Sequence, residues 1–96
     1  MPPVHRQNDI CSGHGCFPPR KTTTWSSITY ANNLQIHRQG DLYGIHCCGT
    51  PCHPGSGQTG SSTVYVENKA ARRIGDPVSC GGIAAVGSPN VIVGGW

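Results

Sequence analysis

Residues 4–10 read VHRQNDI, and residues 36–42 repeat them with few changes as IHRQGDL. A looser third copy, RIGDP, occupies residues 73–77. In each copy an Asp follows an Asn or a Gly, and these residue types favour tight turns. We therefore predict that the chain contains three turn-forming repeats, none of which is long enough to fold alone.

Short strands are predicted beside the repeated turns. Residues 33–36, 63–66 and 90–93 (NLQI, TVYV and NVIV) are rich in apolar residues and are bounded by Gly, Ser, Pro and Asn. No helical period persists over the length of a globular helix, although one helical turn at residues 68–72 fits the local sequence. The pattern favours a small, all-β, irregular fold.

Two further segments are predicted to be loops, because Pro, Gly, Ser and Thr dominate them. They are residues 16–25, inserted in the first repeat, and residues 47–60, inserted in the second. With both loops excluded, the three repeats can pack about an approximate threefold axis. We expect residues 1–96 to form one domain of this kind.

Composition limits how such a chain can be stabilised. Only 11% of its 96 residues are charged, the net charge is +3, and it contains six Cys and five His. A domain of this size has a thin core and usually needs a metal ion or disulfides. No apolar run resembles a secretory signal or a membrane span, so we expect synthesis in the reducing cytosol, which favours metal binding over disulfides.

A zinc-binding side chain recurs at one internal position of the repeats. Four or five residues beyond each repeated Asp lie His14, His46 and Cys80. His53, in the second loop, can supply a fourth ligand. Three imidazoles and one thiolate suit tetrahedral zinc, and a closed set of four ligands leaves no position for an activated water. The pattern predicts a structural rather than a catalytic metal.

The remaining His and Cys residues have other interpretations. His5 and His37 precede the repeated turns, and we interpret them as surface or hydrogen-bonded residues. We take the other cysteines by default as small buried hydrophobes: Cys11, Cys16, Cys47, Cys48 and Cys52. Two alternatives stay open: a zinc-knuckle-like site of Cys48, Cys52 and His53, and a disulfide framework, which an even number of cysteines permits.

Essentially the whole chain resembles a known family, most specifically in its latter half. Residues 68–82, NKAARRIGDPVSCGG, are similar to the PAAR motif region, with Lys69 in place of the Pro that gives the motif its name. Residues 87–95, GSPNVIVGG, are similar to the segment that follows it in that family. The resemblance implies a conical domain of short strands and loops, with one structural metal ion near the apex. Its ligands would be three His and one Cys: His14, His46, His53 and Cys80.

The resemblance also implies a function. PAAR proteins cap the blunt end of a trimeric β-helical spike, either a VgrG-like needle or a phage central spike, with one tip monomer per trimer. The length of this chain resembles that of the spike tips of T-even-type phage baseplates. We therefore expect a virion protein of the tail baseplate that contacts the host membrane transiently and binds no nucleic acid.

Two rival functions are weighed against the spike tip. A metalloenzyme would need a general base, and three of the four acidic residues are assigned to turns, so we expect no enzymatic activity. A small zinc-binding module for nucleic acid or protein is the alternative, but the basic residues are dispersed rather than clustered. Zinc is the expected ion and iron is the alternative.

Overall fold

A computed structural model describes residues 2–49 and 51–94 of the chain, which extend over 38 × 24 × 23 Å. Six short strands form three separate antiparallel two-stranded sheets, β1–β2, β3–β4 and β5–β6. The strands are β1 Tyr30–Ala31, β2 Leu34–Gln35, β3 Leu42–Cys47, β4 Cys52–Ser56, β5 Tyr65–Val66 and β6 Lys69–Ala70. The expected all-β fold of short strands is confirmed. No helix of the described residues could span a bilayer.

The predicted helical turn at residues 68–72 is wrong. Lys69–Ala70 is strand β6, which pairs with β5. Glu67 and Asn68 adopt positive φ values of 54° and 66°, as the two central residues of a tight hairpin turn do. Local helix propensity is overridden here because the hairpin supplies backbone partners that one isolated helical turn cannot.

The strand and loop predictions are right in part. The predicted strands 33–36 and 63–66 overlap β2 and β5, whereas within 90–93 only Ile92 is bridged, to Pro3. The second predicted loop is wrong at its first residue and in its middle, since Cys47 ends β3 and Cys52–Ser56 forms β4. A segment with Pro and Gly reads as a loop, but here it is an edge strand, where a missing backbone donor is tolerated.

The same buried ion pair occurs in each repeat, between an Arg and the Asp three residues later. The pairs are Arg6–Asp9, Arg38–Asp41 and Arg73–Asp76. In each pair the Arg backbone N–H also donates to the Asp carboxylate, at 2.9 Å. Bidentate, charge-assisted contacts of this kind hold a geometry firmly. Each Asp therefore stabilises its turn through two contacts, one with the Arg side chain and one with the Arg backbone N–H.

A closed ring of backbone hydrogen bonds joins the three repeats. The N–H of His5 donates to the carbonyl of Arg72 at 2.8 Å. The N–H of Arg72 donates to the carbonyl of His37 at 2.9 Å, and that of His37 donates to the carbonyl of His5 at 3.0 Å. All three residues are fully buried. The three segments therefore converge at one place in the interior.

The apolar core is thin and consists of two clusters. One cluster comprises Val4, Ala31, Ile36, Val66, Ala71 and Val93, and a second comprises Cys11, Tyr43 and Val78. The Tyr43 hydroxyl lies 2.8 Å from His5 Nε2 and accepts a hydrogen bond from Arg72 at 3.0 Å. Of the two roles expected for His5 and His37, surface or hydrogen-bonded, the second is confirmed, since both are buried and hydrogen-bonded.

The buried histidines should make stability depend on pH. Burial is the main cause that lowers the pKa of His5 from 6.5 to about 4, and burial together with the charges of His5 and Arg72 lowers the pKa of His37. Because both pKa values lie below 6.5 in the folded chain, the stability that neutral histidines contribute is complete above pH 6.5. It should decline as pH falls from there towards 4, by up to about 1.4 kcal/mol per pH unit for each histidine.

Denaturant unfolding at pH 7, 6, 5 and 4 measures this decline. The matched variant is His5→Asn/His37→Gln, which keeps polar atoms at both positions but cannot titrate. Its unfolding free energy should vary less with pH than that of the unmodified chain. Equal slopes for the two proteins would contradict the assignment.

Candidate metal centre

Four side chains with metal-binding atoms meet at one place in the described structure. Their ligand atoms all lie within 4.8 Å of one another. They belong to His14, His46, His53 and Cys80. These are the four residues that the sequence analysis singled out, and the structure brings all of them together.

Strands β3 and β4 place two of the imidazoles. His46 and His53 are direct partners in the antiparallel register, so their side chains leave the same face of the hairpin. Their ring centroids lie 4.6 Å apart in an edge-on arrangement. The ladder therefore places the two imidazoles next to each other on one hairpin.

His14 comes from a tight turn. Its backbone N–H and carbonyl both bond to Phe17, at 3.0 and 2.8 Å. Gly13 has a φ of 72°, and a Cβ at this position would collide with the Phe17 carbonyl, so only glycine fits. The turn holds the His14 ring 4.9 Å from that of His46 and 5.2 Å from that of His53.

Phe17 was missed by the sequence analysis. Its ring centroid lies 4.8 Å from those of His14 and His46 and 4.4 Å from that of His53. It packs against all three imidazoles and limits the access of water to them. The available signal was that the only Phe of the chain lies three residues after His14 and directly before Pro18.

Cys80 enters from a turn at residues 79–82. Gly81 has a φ of 113°, its N–H donates to the Val78 carbonyl at 3.0 Å, and a Cβ there would lie 3.2 Å from the His14 ring. The Ser79 N–H donates to the Ser56 carbonyl at the end of β4, at 2.8 Å. This bond ties the cysteine turn to the hairpin that contains His46 and His53.

The protonation of the imidazoles suits a metal ion. Nδ1 of His46 bonds to the Pro18 carbonyl at 2.9 Å, and Nδ1 of His53 bonds to the Pro54 carbonyl at 3.0 Å. A carbonyl only accepts, so Nδ1 bears the proton in both rings and Nε2 has its lone pair free. Carbonyl partners of this kind orient histidine ligands in metal sites.

Of the five buried side-chain nitrogens that lack a hydrogen-bond partner within the described chain, two belong to the candidate ligands. They are Nε2 of His14 and Nε2 of His46. Unsatisfied buried polar atoms are costly, and a bound cation would satisfy both. Desolvation, followed by the neighbouring His46, His53 and Arg20, lowers the pKa of His14. A lowered pKa keeps this imidazole in the neutral form that binds metals. The residues present therefore fit a zinc ion.

Four of the six cysteines are paired in disulfides, contrary to the default interpretation as free hydrophobes. The pairs are Cys16–Cys48 and Cys47–Cys52. Cys11 is free and buried, as expected, and Cys80 is the other free cysteine. Because Cys48 and Cys52 are bonded elsewhere, the alternative zinc-knuckle-like site with His53 is wrong.

The disulfides surround the candidate metal centre. Cys47 and Cys52 are the pair next to His46 and His53 in the β3–β4 register, so their disulfide closes the hairpin beyond the two imidazoles. Cys16–Cys48 ties the His14 turn to the end of β3. Exposed cysteines opposite one another in adjacent strands pair readily, and spacing alone does not reveal that arrangement.

Removing Cys16–Cys48 should destabilise the fold. The variant Cys16→Ser/Cys48→Ser opens a loop with a sequence separation of 32 residues. The chain-entropy model gives a loss of about 3–4 kcal/mol in unfolding free energy for such a loop. Denaturant unfolding under non-reducing conditions measures it, with intact mass spectrometry to count disulfides. If the unmodified protein contains six free thiols, the pairing is refuted.

The sequence was also compared with known proteins. The PAAR motif family model matches residues 18–86, more than half of the chain, and the chain therefore belongs to this family. The match includes His46, His53 and Cys80, and His14 lies just before it. PAAR motif proteins are structural spike components of contractile injection systems rather than enzymes. No curated protein matches the chain significantly.

Proposed function

We propose that this protein is the structural tip of a contractile-injection spike. It would cap the blunt end of a trimeric β-helical spike and sharpen it for piercing a membrane. The main support is a PAAR chain in which one set of contacts occurs three times: an Arg–Asp pair in each repeat and one backbone ring that joins them. A monomer with approximate threefold internal symmetry can match the end of a trimer.

A second recurring contact supports the threefold arrangement. Three buried serines each accept, through Oγ, the backbone N–H groups of the residues two and three positions later. They are Ser26, Ser61 and Ser88. Their own N–H groups donate to equivalent sites, the carbonyls of Ile36, Ala71 and Val4. In the third unit, segments from the two ends of the described chain lie side by side, because the Val93 N–H donates to the Pro2 carbonyl at 3.0 Å.

Three exposed apolar side chains occupy equivalent positions in this arrangement. Each lies four residues beyond one of the repeated serines and directly before a core residue. They are Tyr30, Tyr65 and Ile92, which are 56, 60 and 57% exposed. Exposed apolar residues that recur about one axis suit a symmetric trimeric partner. We propose that this trio contributes to the spike-binding surface.

Binding to a trimeric spike, either a VgrG-like protein or a phage central spike, tests this function. We expect one monomer per trimer, measured by size-exclusion chromatography with light scattering. Tyr30→Asp/Tyr65→Asp should weaken binding at least tenfold, because each charge would have to be buried in the interface. The matched control is Ile45→Asp, which alters a 69% exposed apolar residue beside His46. Equal loss in both variants, or a stoichiometry other than one per trimer, would contradict the proposal.

The metal completes the proposal. We propose that His14, His46, His53 and Cys80 hold one structural zinc ion, with iron as the alternative. When bound, the ion would supply four bonds between the His14 turn, the β3–β4 hairpin and the Cys80 turn. Four protein ligands leave no position for an activated water, which agrees with a structural role. Coordination can contribute roughly 10 kcal/mol or more of apparent folding free energy, which a thin core does not supply.

Elemental analysis of purified protein should find one equivalent of zinc. His46→Ala should abolish it and lower the melting temperature, because three ligands remain and one coordination site opens. The matched control is Cys11→Ala, which removes the other free cysteine outside the cluster and should retain the metal. A fully stable protein without metal would refute the structural zinc.

The distribution of positive charge argues against the alternative of a nucleic-acid-binding module. Arg6, Arg38 and Arg73 are paired with Asp residues, and Arg20 and Arg72 are buried. This leaves only two of the seven basic residues, Lys21 and Lys69, as exposed cations without a described ion pair.

From the spike-tip role we propose a location at the tip of a tail baseplate or secretion spike, with transient contact with the target membrane.

A further inference from the structure

Arg20 lies between the candidate metal centre and the core. It is 7% exposed, and its NH2 group donates to Cys80 Sγ at 2.8 Å. Its NH1 group donates to the backbone carbonyl of His53 at 3.2 Å, and its guanidinium carbon lies 5.5 Å from the centroid of the Tyr43 ring. The guanidinium therefore contacts two candidate ligands: Cys80 through its sulfur and His53 through its backbone carbonyl.

This guanidinium forms no ion pair with a carboxylate of residues 2–49 or 51–94. A buried cation is costly unless a charge or several hydrogen bonds compensate it. Of its described polar partners, only the Cys80 sulfur can bear a negative charge. Among the described residues, the Cys80 sulfur is therefore the group that can compensate the buried positive charge of Arg20.

Gly55 in β4 makes the contact possible. A Cβ at this position would collide with the NH2 group of Arg20 and would lie 2.9 Å from Cys80 Sγ. The φ of Gly55 is not in the left-handed region, so the backbone does not require glycine here. The missing side chain instead provides the space in which guanidinium and sulfur meet.

We infer that Arg20 is a positioning residue for Cys80. Its hydrogen bond aims the sulfur at the three imidazoles and, when a metal is bound, draws electron density from the thiolate. This inference rests on the proposed metal centre. Partners of metal ligands that act in this way typically change metal affinity by about 10–100-fold when they are removed.

Cobalt(II) in place of zinc provides the test, because the absorption of a cobalt–thiolate bond reports on the sulfur electrons. In Arg20→Met the sulfur-to-cobalt charge-transfer band should move to longer wavelength, since loss of the donor raises the energy of the sulfur lone pairs. Cobalt affinity should fall by about tenfold. A residue that only fills space would leave the band where it is.

Two further variants separate the hydrogen bond from charge and folding. Lys21→Met removes the same charge from the neighbouring, exposed residue and should leave the band unmoved. Arg20→Gln keeps a polar side chain but ends short of the terminal guanidinium nitrogen that reaches Cys80 Sγ, so it should shift the band in the same direction as Arg20→Met. It keeps the test valid if Arg20→Met does not fold.

The outcomes separate the role of Arg20 from the existence of the metal centre. A normal cobalt spectrum in the unmodified protein, with an unmoved band in Arg20→Met and Arg20→Gln, overturns the role of Arg20 and leaves the metal centre intact. A protein that binds no cobalt and no zinc overturns the metal centre and the inference together. If Lys21→Met shifts the band as much as the Arg20 variants do, the shift is a general effect of charge, and the role of Arg20 is overturned as well.

Discussion

Three buried Arg–Asp pairs are the interactions on which the rest of this fold depends. Each pair closes a turn within one repeat, and the residue directly before each Arg joins the backbone ring of His5, His37 and Arg72. The ring allows three short segments to meet without a large apolar core. The apolar clusters consist of small groups of mostly Val, Ala and Ile. The ion pairs and backbone hydrogen bonds therefore supply much of the stabilisation that apolar packing supplies in larger domains.

From this centre a connected series of contacts leads to the candidate metal centre. The buried imidazole of His5 bonds to Tyr43, the Tyr43 ring lies beneath Arg20, and Arg20 bonds to Cys80. The β3–β4 hairpin extends from Tyr43 to His46 and, through β4, to His53. The candidate ligands are therefore connected to the interior, while two disulfides lie beside them.

The repeat pattern predicted three members of the cluster, His14, His46 and Cys80, because ligand spacing relative to a repeated turn is a property of sequence. His53 lies outside that register and was added as a fourth ligand from its residue type and from the family resemblance. The same pattern contained an Arg three residues before each Asp, but the Asp residues were interpreted only as turn formers. Strand β4 and the two disulfides were missed for a physical reason. Pairing of Cys47 with Cys52 follows from the β3–β4 register, and that register depends on backbone hydrogen bonds that Pro and Gly do not suggest.

In the proposed metal centre, three histidines and one cysteine of this chain hold a single ion. X-ray absorption at the zinc edge of the purified protein tests it most directly. We predict a first shell of three nitrogens at about 2.0–2.1 Å and one sulfur at about 2.3 Å. A shell with no sulfur, with two or more sulfurs, or with oxygen in place of the imidazoles would contradict the claim.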